Sequence, residues 1–449
     1  PEWTKALFEG AKIMEDILGT PQDLEWAIDA QGILWWLQCR PVTTASTFNV
    51  NELDTPLSTD SETQDWFTLG NIGEMMPGAV SPLTARLFGG AIEAGLRDFA
   101  KRSGALPKHA STPRYVQVFY GRLFFNLSSL YDFARHTALN KKENIERSIV
   151  GRTLSTYEVE PETKGFRRSL NFIGQVRYIQ SAGARLRSLQ KSAEHWQPNW
   201  SDNPELLLEQ LAKGVLRMEQ AFMHHFATSS QSGSYYSALL QMLEKRFPEP
   251  GKAAGLANQL LTSIGAIESA DPLARLGDLA DEILQHPGFD NTFVNAKLSE
   301  ARSLLEHNAP EPVRQKFAEF IQRHGHRGVR EAEFLEPTWE EAPESLLGML
   351  QQMVRSGRKS NQSASQGANL PKLKAGEAFV AKLSRAAVIK REKSKAFAIR
   401  IMHRLRQGYR HLGDLAKNQG LIEETEDVFF LLPEEHKLLF AGQLPNPKA

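Results

Sequence analysis

Residues 21–41 read PQDLEWAID, AQG and ILWWLQCRP, and this stretch decides how the start of the chain folds. Two short apolar runs rich in Trp, Ile and Leu flank a polar turn that contains glycine, a pattern that predicts a β-hairpin. Glu25 lies within the first predicted strand, and Gln38 and Arg40 lie near the end of the second. Because a carboxylate can bind Mg²⁺ and a guanidinium can bind phosphate oxygens, the hairpin could hold a metal-bound polyphosphate. A solvated edge hairpin with a surface salt bridge is the alternative.

The same stretch resembles the closing segment of the ATP-grasp module in phosphoenolpyruvate synthase, pyruvate phosphate dikinase and the rifampin phosphotransferases. The resemblance rests on the run PQDLEWAID and on LQCRPVT, which begins at Leu37. It implies that Glu25 is a Mg²⁺ ligand and that Gln38 and Arg40 face the nucleotide phosphates. ATP and Mg²⁺ are therefore the expected cofactors of the full-length enzyme. Cys39 stands where these enzymes usually have a small residue.

The composition limits the partners and the compartment. Lys plus Arg and Asp plus Glu both number 53 in the 449 residues. The zero net charge argues against a nucleic-acid binder or an anionic-membrane binder that relies on bulk charge. A single cysteine is typical of a reducing cytosol, and neither a signal peptide nor an apolar run of about 18 residues is present. We expect a cytoplasmic protein with no nucleic-acid and no membrane partner. We also expect a piece of a longer protein, because the sequence starts at Pro1 in mid-pattern.

Helical spacing dominates most of the sequence, and it predicts separate helices over residues 206–226, 235–247 and 295–307. Residues 2–18 have apolar side chains three or four positions apart, and residues 45–65 are rich in Thr, Ser, Asn and Asp, as a linker would be. The predicted fold is mainly α, with a multi-helical substrate-binding domain over residues 66–435. Residues 1–44 are predicted to be a small β-hairpin remnant, the C-terminal end of an ATP-grasp domain. Residues 436–449 are expected to begin a linker to a phosphohistidine domain.

The segment 71–84 combines two prolines and two glycines, which predict an irregular, pre-organised loop. Its acidic and methionine side chains could wall a ligand, because Met adapts to irregular apolar shapes. A buried turn whose Met side chains fill the core is the alternative. Ser81 and Pro82 predict the N-cap and the first turn of a helix.

This loop resembles the opening of the middle, substrate-binding module of the rifampin phosphotransferase type. A second hairpin-like patch at residues 117–127 also resembles that module. The resemblance implies that the loop and the patch bind substrate through five residues: Glu74, Met75, Met76, Pro77 and Asn126.

The segment 323–343 places two His and three Arg residues among glycines. Glycines allow backbone N–H groups to approach an anion, and Arg can form paired hydrogen bonds with phosphate. A partial zinc site, a solvated turn and Arg–Glu pairing at a domain interface are the alternatives. The run GHRG, a nearby acidic residue and the run PTWEEAP resemble the same family. This resemblance assigns His326, Arg327 and Glu331 to the active-site side of the middle module.

The predicted basic helix over residues 376–417 carries Arg391 and Glu392, which match an Arg-Glu pair in the family's last long helix. A basic face of this kind is more commonly just solvated. Residues 424–431 resemble the segment before the family's phosphohistidine domain, but no Thr-x-His-like, Gly-rich motif follows in this sequence.

The resemblance implies part of an ATP-dependent, dikinase-like phosphotransferase in which phosphate passes from ATP through a mobile histidine to a small organic acceptor. A non-catalytic helical scaffold and an ATP-dependent condensing enzyme of the same architecture are the alternatives. We expect the isolated chain to be inactive. We expect a substrate pocket among Glu74–Pro77, residues 121–126, residues 326–331 and Arg391. A closed network of Arg–Glu pairs at the same place is the competing interpretation.

Overall fold

The structure is a computed structural model that describes residues 2–18, 22–29, 32–41, 65–106, 115–137, 142–150, 153–154, 163–249, 251–262, 271–357 and 372–444. It divides into two compact units, Pro1–Glu62 and Thr63–Ala449. The predicted linker at 45–65 lies almost wholly outside the described residues. In the part of the chain that the structure describes, no helix is both long and apolar enough to cross a membrane.

The first unit contains helix α1 (Glu2–Leu18) and an antiparallel hairpin of β1 (Gln22–Ile28) and β2 (Leu34–Pro41). Asp29 fixes the turn, because its carboxylate accepts hydrogen bonds from the Ile33 backbone N–H and from the Trp35 indole, both at 2.8 Å. Trp3 of α1 packs against Trp26 of β1, with ring centroids 5.5 Å apart. The predicted hairpin is therefore confirmed.

The second unit is predominantly helical, as the sequence predicts. In chain order it contains β3 (Phe67–Thr68), α2 (Ile72–Met75), α3 (Pro82–Arg102), β4 (Val116–Phe119), β5 (Arg122–Asn126), α4 (Leu127–His136), α5 (Lys142–Ile149), α6 (Gly165–Gln180), α7 (Ala182–His195), α8 (Pro204–Glu244), α9 (Lys252–Thr262), α10 (Asp271–Leu284), α11 (Phe289–Asn295), α12 (Leu298–Ser303), a π-helical turn (Leu304–Asn308), α13 (Glu311–His324), α14 (Glu344–Arg355), α15 (Ala375–Asn418), a 3₁₀ segment (Thr425–Phe430) and α16 (Pro433–Phe440).

The two longest helices, α8 and α15, pack against each other along the main core, and α3 packs on α8. Gly214 of α8 allows this approach, because an added Cβ would lie 2.8 Å from Leu405 of α15. Our sequence reading placed separate helices at 206–226 and 235–247, and this was wrong. One helix runs through both, because no proline interrupts it and packing against α15 outweighs the weak helix propensity of the intervening residues.

The start of α3 follows the predicted chemistry. Ser81 is the N-cap, its hydroxyl accepts a hydrogen bond from the Thr84 N–H at 3.3 Å, and Pro82 occupies the first turn. Strands β3, β5 and β4 form a small antiparallel sheet in that order. The β4–β5 turn consists of Tyr120 and Gly121, both with positive φ (51° and 68°), as a two-residue hairpin turn of this hand requires. This hairpin confirms the predicted patch.

Helices α10 to α14 enclose a separate apolar cluster around Leu279, Phe317 and Leu347. The sequence predicted one helix over 295–307 here. The structure instead has the end of α11, then α12, then the π-helical turn, so the prediction of a single helix was wrong. The break follows from Ala296 and Lys297, whose extended ψ angles of 146° lie outside the helical region.

Candidate functional site

The connection between α13 and α14, residues 325–343, forms the centre of the candidate site, and one buried carboxylate holds it in place. Glu333 is 1% exposed. Its Oε1 accepts hydrogen bonds from the Ser81 hydroxyl (2.7 Å), the Thr84 hydroxyl (2.7 Å) and the Leu335 N–H (3.0 Å), and its Oε2 accepts one from the Ser81 N–H (3.1 Å). The carboxylate therefore lies at the N-terminus of α3, where the helix dipole favours a negative charge. It ties the 325–343 connection to α3.

Two arginines of α15 hold the same connection from the other side. Arg406, which is 1% exposed, donates to the backbone oxygens of Glu331 (2.9 Å) and Glu333 (2.7 Å). Burial lowers the pKa of Arg406 to about 10, so it remains charged at neutral pH. Arg410 donates to the Leu335 oxygen at 3.1 Å and lies 3.2 Å from the Glu341 carboxylate. These contacts fix the connection against α15, chiefly through its backbone oxygens.

The 325–343 connection also joins the predicted loop and the predicted patch. Arg330 donates to the Ala79 oxygen at 2.7 Å, and the Val80 N–H donates to the Gly121 oxygen at 2.9 Å. Three sequence segments separated by up to about 250 residues thus meet. We predicted this meeting from the sequence.

A cavity of about 420 Å³ lies between the 71–84 loop, the 325–343 connection and α15. Lys395 of α15 projects to it, and its ammonium lies 3.2 Å from the Glu331 carboxylate. The polar groups of the cavity are thus one cation and one carboxylate beside apolar walls from Met75 and Ile399. The complete lining is Met75, Gly328, Val329, Glu331, Ala332, Lys395 and Ile399.

His326 is not part of the cavity lining. It is 6% exposed, and its Nε2 atom has no hydrogen-bond partner among the described residues. Burial, followed by the charges of Arg400 and Arg327, lowers the pKa of His326 well below its usual value. The imidazole is therefore neutral at physiological pH. It lies near His403, with ring centroids 6.5 Å apart, and His403 in turn contacts Glu340 at 3.2 Å.

Three other predicted substrate-binding residues are not part of the cavity lining. Met76 is in the core at 4% exposure, whereas Pro77 is exposed. Asn126 caps α4, because its side-chain oxygen accepts from the Ser129 N–H at 2.9 Å. Glu74 lies in α2, and its side chain is outside the described set.

The guanidinium of Arg391 pairs with Glu392 at 2.8 Å. Arg391 precedes Lys395 by one turn of α15, on the same side of the helix, but it is not part of the cavity lining. Arg327 is partly buried, and its charge acts on His326. The competing interpretation predicted a network in which Arg391 and Arg327 pair with Glu74 and Glu331. Glu331 pairs with Lys395 instead.

The first unit has its own polar group of predicted residues. Glu25 and Gln38 are directly opposed in the β1–β2 register, so both side chains lie on the same face of the hairpin. Both are exposed. Arg40 lies in β2, two positions beyond Gln38, and its side chain is outside the described set. Within the described ranges, no three His, Cys, Asp or Glu side chains are grouped as a protein-held metal ion would need.

Sequence reasoning missed two residues of the site. Lys395 was noted only as part of a basic helix, although its position four residues after Arg391 was an available signal. Glu333 was not singled out, because its partners, Ser81 and Thr84, lie about 250 residues away in the sequence.

Comparisons with known proteins match both units. The family model described as pyruvate phosphate dikinase, AMP/ATP-binding domain, matches residues 2–60, and the one described as rifampicin phosphotransferase fourth domain matches residues 224–411. The prodigiosin synthesizing transferase PigC of Serratia marcescens is 21% identical over 374 residues, which make up 79% of this chain and 42% of PigC. The chain thus spans about two fifths of the length of this curated relative. Together these matches confirm the resemblance of the chain to the phosphoenolpyruvate synthase, pyruvate phosphate dikinase and rifampin phosphotransferase family.

Proposed function

We propose that this chain is the substrate-binding part of an ATP-dependent, dikinase-like phosphotransferase. In this proposal, a phosphohistidine domain of the same polypeptide takes phosphate from ATP and delivers it to a small organic acceptor in the cavity beside Lys395. The two family matches support the reaction class. The single observation that carries the proposal is the cavity itself, because it combines a cation, a carboxylate and apolar walls between the 71–84 loop, the 325–343 connection and α15.

The polar pair in the cavity suits phosphoryl transfer. Transfer spreads negative charge over the phosphoryl oxygens, and a fixed ammonium such as that of Lys395 stabilises this charge. Glu331 holds the ammonium in place at 3.2 Å. It could also accept the proton of an attacking hydroxyl group on the acceptor. Met75 and Ile399 would contact the apolar body of the acceptor.

Neutral His326 has a different role in this proposal. An uncharged imidazole contributes little to binding phosphate, so we assign it to positioning Arg327 and the neighbouring backbone. In the first unit, Glu25 would supply a carboxylate oxygen to Mg²⁺ and Gln38 would contact the phosphates of ATP. A magnesium ion held there would supply positive charge that offsets the charge of those phosphates.

The test uses the polypeptide that joins this chain to its ATP-binding and phosphohistidine domains. It is incubated with ATP and a small-molecule extract of the source cells, and the products are followed by ³¹P NMR. We expect a new phosphorylated compound. The variant Lys395→Met should lower its rate of formation by roughly 10²-fold or more, as removal of a charge-stabilising group does.

The matched control is Lys393→Gln, which removes an exposed cation two residues away on the same helix. It should leave the rate unchanged. Formation of the phosphorylated compound at the original rate by correctly folded Lys395→Met would contradict the assignment. No ATP-dependent product at all would favour a non-catalytic helical scaffold.

A condensing enzyme of the same architecture is the second candidate, and the name of PigC favours it, because that protein is described as synthesizing prodigiosin. In this case a phosphorylated intermediate would be attacked by a second small molecule. The ³¹P spectrum separates the two candidates. Phosphorylation leaves the transferred phosphate on the acceptor, whereas condensation releases it as inorganic phosphate with a coupled product.

A further inference from the structure

Helix α6 carries an apolar ridge on its solvent side. Phe166, Leu170 and Ile173 are 78%, 49% and 45% exposed. Their spacing of four and three residues places them on one face of the helix. The opposite face, with Gln175 and Tyr178, is buried in the second unit. The ridge is therefore not part of the core on which α6 packs.

The sequence around this ridge is strongly basic. Residues 164–193 contain seven Lys or Arg residues and no Asp or Glu, although the whole chain has zero net charge. One of the seven, Arg185, is neutralised by Asp98 at 2.8 Å. The other six make no ion pair within the described part of the chain. They are Lys164, Arg167, Arg168, Arg177, Arg187 and Lys191.

The basic side chains accompany the ridge closely. Arg177 follows Ile173 by four residues and continues the line of the ridge, and Arg167 adjoins Phe166. The chain then passes into α7 through Ser181, whose φ and ψ of −67° and −14° are helical. Arg187 and Lys191 are exposed on that next helix. Apolar and positive groups thus lie side by side over several helical turns.

We propose that α6 binds to the surface of an anionic lipid bilayer, with Phe166, Leu170 and Ile173 inserted among the acyl chains. A helix that combines an apolar face with surrounding Lys and Arg can lie in the membrane interface, its apolar side chains entering the headgroup and acyl boundary. The long arginine stems can follow the ridge while their guanidinium groups contact lipid phosphates.

An acidic protein fits the ridge less well than a lipid surface. A protein partner normally meets a patch with a packed apolar centre and a polar rim. Here Phe166, Leu170 and Ile173 form a narrow line along one helix, and Phe172, which is 42% exposed, lies to one side of it. Such a narrow ridge suits shallow insertion into a fluid surface. The zero net charge of the chain argues against binding through bulk charge, but attraction to anionic lipids depends on charges within about 10 Å of the surface.

The test is co-sedimentation of the 449-residue chain with vesicles of phosphatidylcholine alone or with about 30% phosphatidylserine. We expect binding only to the anionic vesicles and release at high salt. The triple variant Phe166→Ser, Leu170→Ser, Ile173→Ser should lower the partition coefficient at least about tenfold. The double variant Arg167→Gln, Arg177→Gln should lower it by about 25-fold, since each basic residue near the surface contributes about fivefold.

Matched controls are Leu216→Ser and Leu273→Ser for the apolar change, and Lys213→Gln and Lys382→Gln for the charge change. All four residues are exposed in the second unit away from α6, and their variants should bind as the original chain does. Circular dichroism checks that each variant is folded.

A second readout does not depend on a destabilising change. The variant Phe166→Cys is placed in a Cys39→Ser background and labelled with an environment-sensitive fluorophore, which should shift to the blue on anionic vesicles. Failure of the original chain to bind them, equal binding to neutral vesicles, or unchanged binding by the triple variant overturns the proposal. Dimerisation in sedimentation velocity that the triple variant abolishes, without vesicle binding, would assign the ridge to a second copy of the chain and also overturn it.

Discussion

The substitution Glu333→Gln tests whether the buried carboxylate holds the 325–343 connection onto α3. The carboxylate accepts four hydrogen bonds, and three of them converge on Oε1. A glutamine can keep its oxygen at that position. Its amide nitrogen then faces the N–H group of Ser81, so that a donor is set against a donor. The surrounding side chains are buried, with Ser81 at 5% and Thr84 at 0% exposure, so water cannot replace the lost acceptor.

The magnitude follows from these contacts. Loss of the charge weakens three hydrogen bonds by about 1 kcal/mol each, and the donor conflict costs about 2 kcal/mol. Relief from burying a charge returns about 2 kcal/mol. The free energy of unfolding should therefore fall by about 3 kcal/mol. For a unit of this size, that corresponds to a decrease of about 4 °C in the melting temperature.

Differential scanning calorimetry of the intact chain measures this change, and hydrogen exchange localises it at the Thr84 and Leu335 amides. Glu336→Gln is the matched control in the same connection. Its carboxylate is 41% exposed and pairs with Arg330 at 3.2 Å, so its loss should cost less than about 1 kcal/mol. A Glu333→Gln chain that melts within about 1 °C of the original would refute the reasoning.

Three further predictions concern stability. Burial, with the charges of nearby cations, lowers the pKa of His225 to about 4. As the pH falls, this imidazole is therefore protonated in the unfolded chain before it is protonated in the folded chain. The contribution of the neutral imidazole to the free energy of unfolding is complete above about pH 6.5, and up to about 3 kcal/mol of it is lost as the pH falls towards 4. A melting temperature that stays constant over this range would contradict the prediction. Gly413→Ala would place a Cβ against a backbone carbonyl of the 3₁₀ segment and should lower the free energy of unfolding by about 1–3 kcal/mol. The control Gly255→Ala meets open space and should be neutral or stabilising in the same denaturation assay. Asn126→Ala should cost about 1 kcal/mol through loss of the α4 cap, while Asn126→Ser, whose hydroxyl oxygen can also cap the helix, should retain most of it; equal losses would argue against capping.

The features that the sequence predicted well are those with local causes. The β1–β2 hairpin follows from a short run of residues and its turn, and the start of α3 follows from Ser81 and Pro82. The mainly α fold follows from helical spacing over most of the chain. These signals depend on neighbours within a few positions, so one sequence is enough to read them.

The features that the sequence did not predict depend on distant residues. The single helix α8 is continuous because α15 packs along it. The carboxylate of Glu333 binds Ser81, which lies 252 residues earlier, so the sequence near Glu333 gives no sign of this contact. Two of the four segments predicted to surround a pocket, the 74–77 loop and residues 326–331, contribute to the cavity lining, whereas residues 121–126 and Arg391 do not. The pairing of Lys395 with Glu331 required the geometry. The ligand roles of Glu74 and Arg391 stay predictions.

The long separation between Ser81 and Glu333 also determines when the site can form during synthesis. Once α3 has left the ribosome, its N-terminus lacks its carboxylate partner until Glu333, about 250 residues further along the chain, has been made. The cation of the cavity, Lys395, follows about 60 residues later still. Closing so long a loop is slow, because its entropy must be lost before the contacts form. The first turn of α3 is therefore exposed to chaperones and proteases while those residues are made, and any chain that ends before α15 lacks a complete cavity.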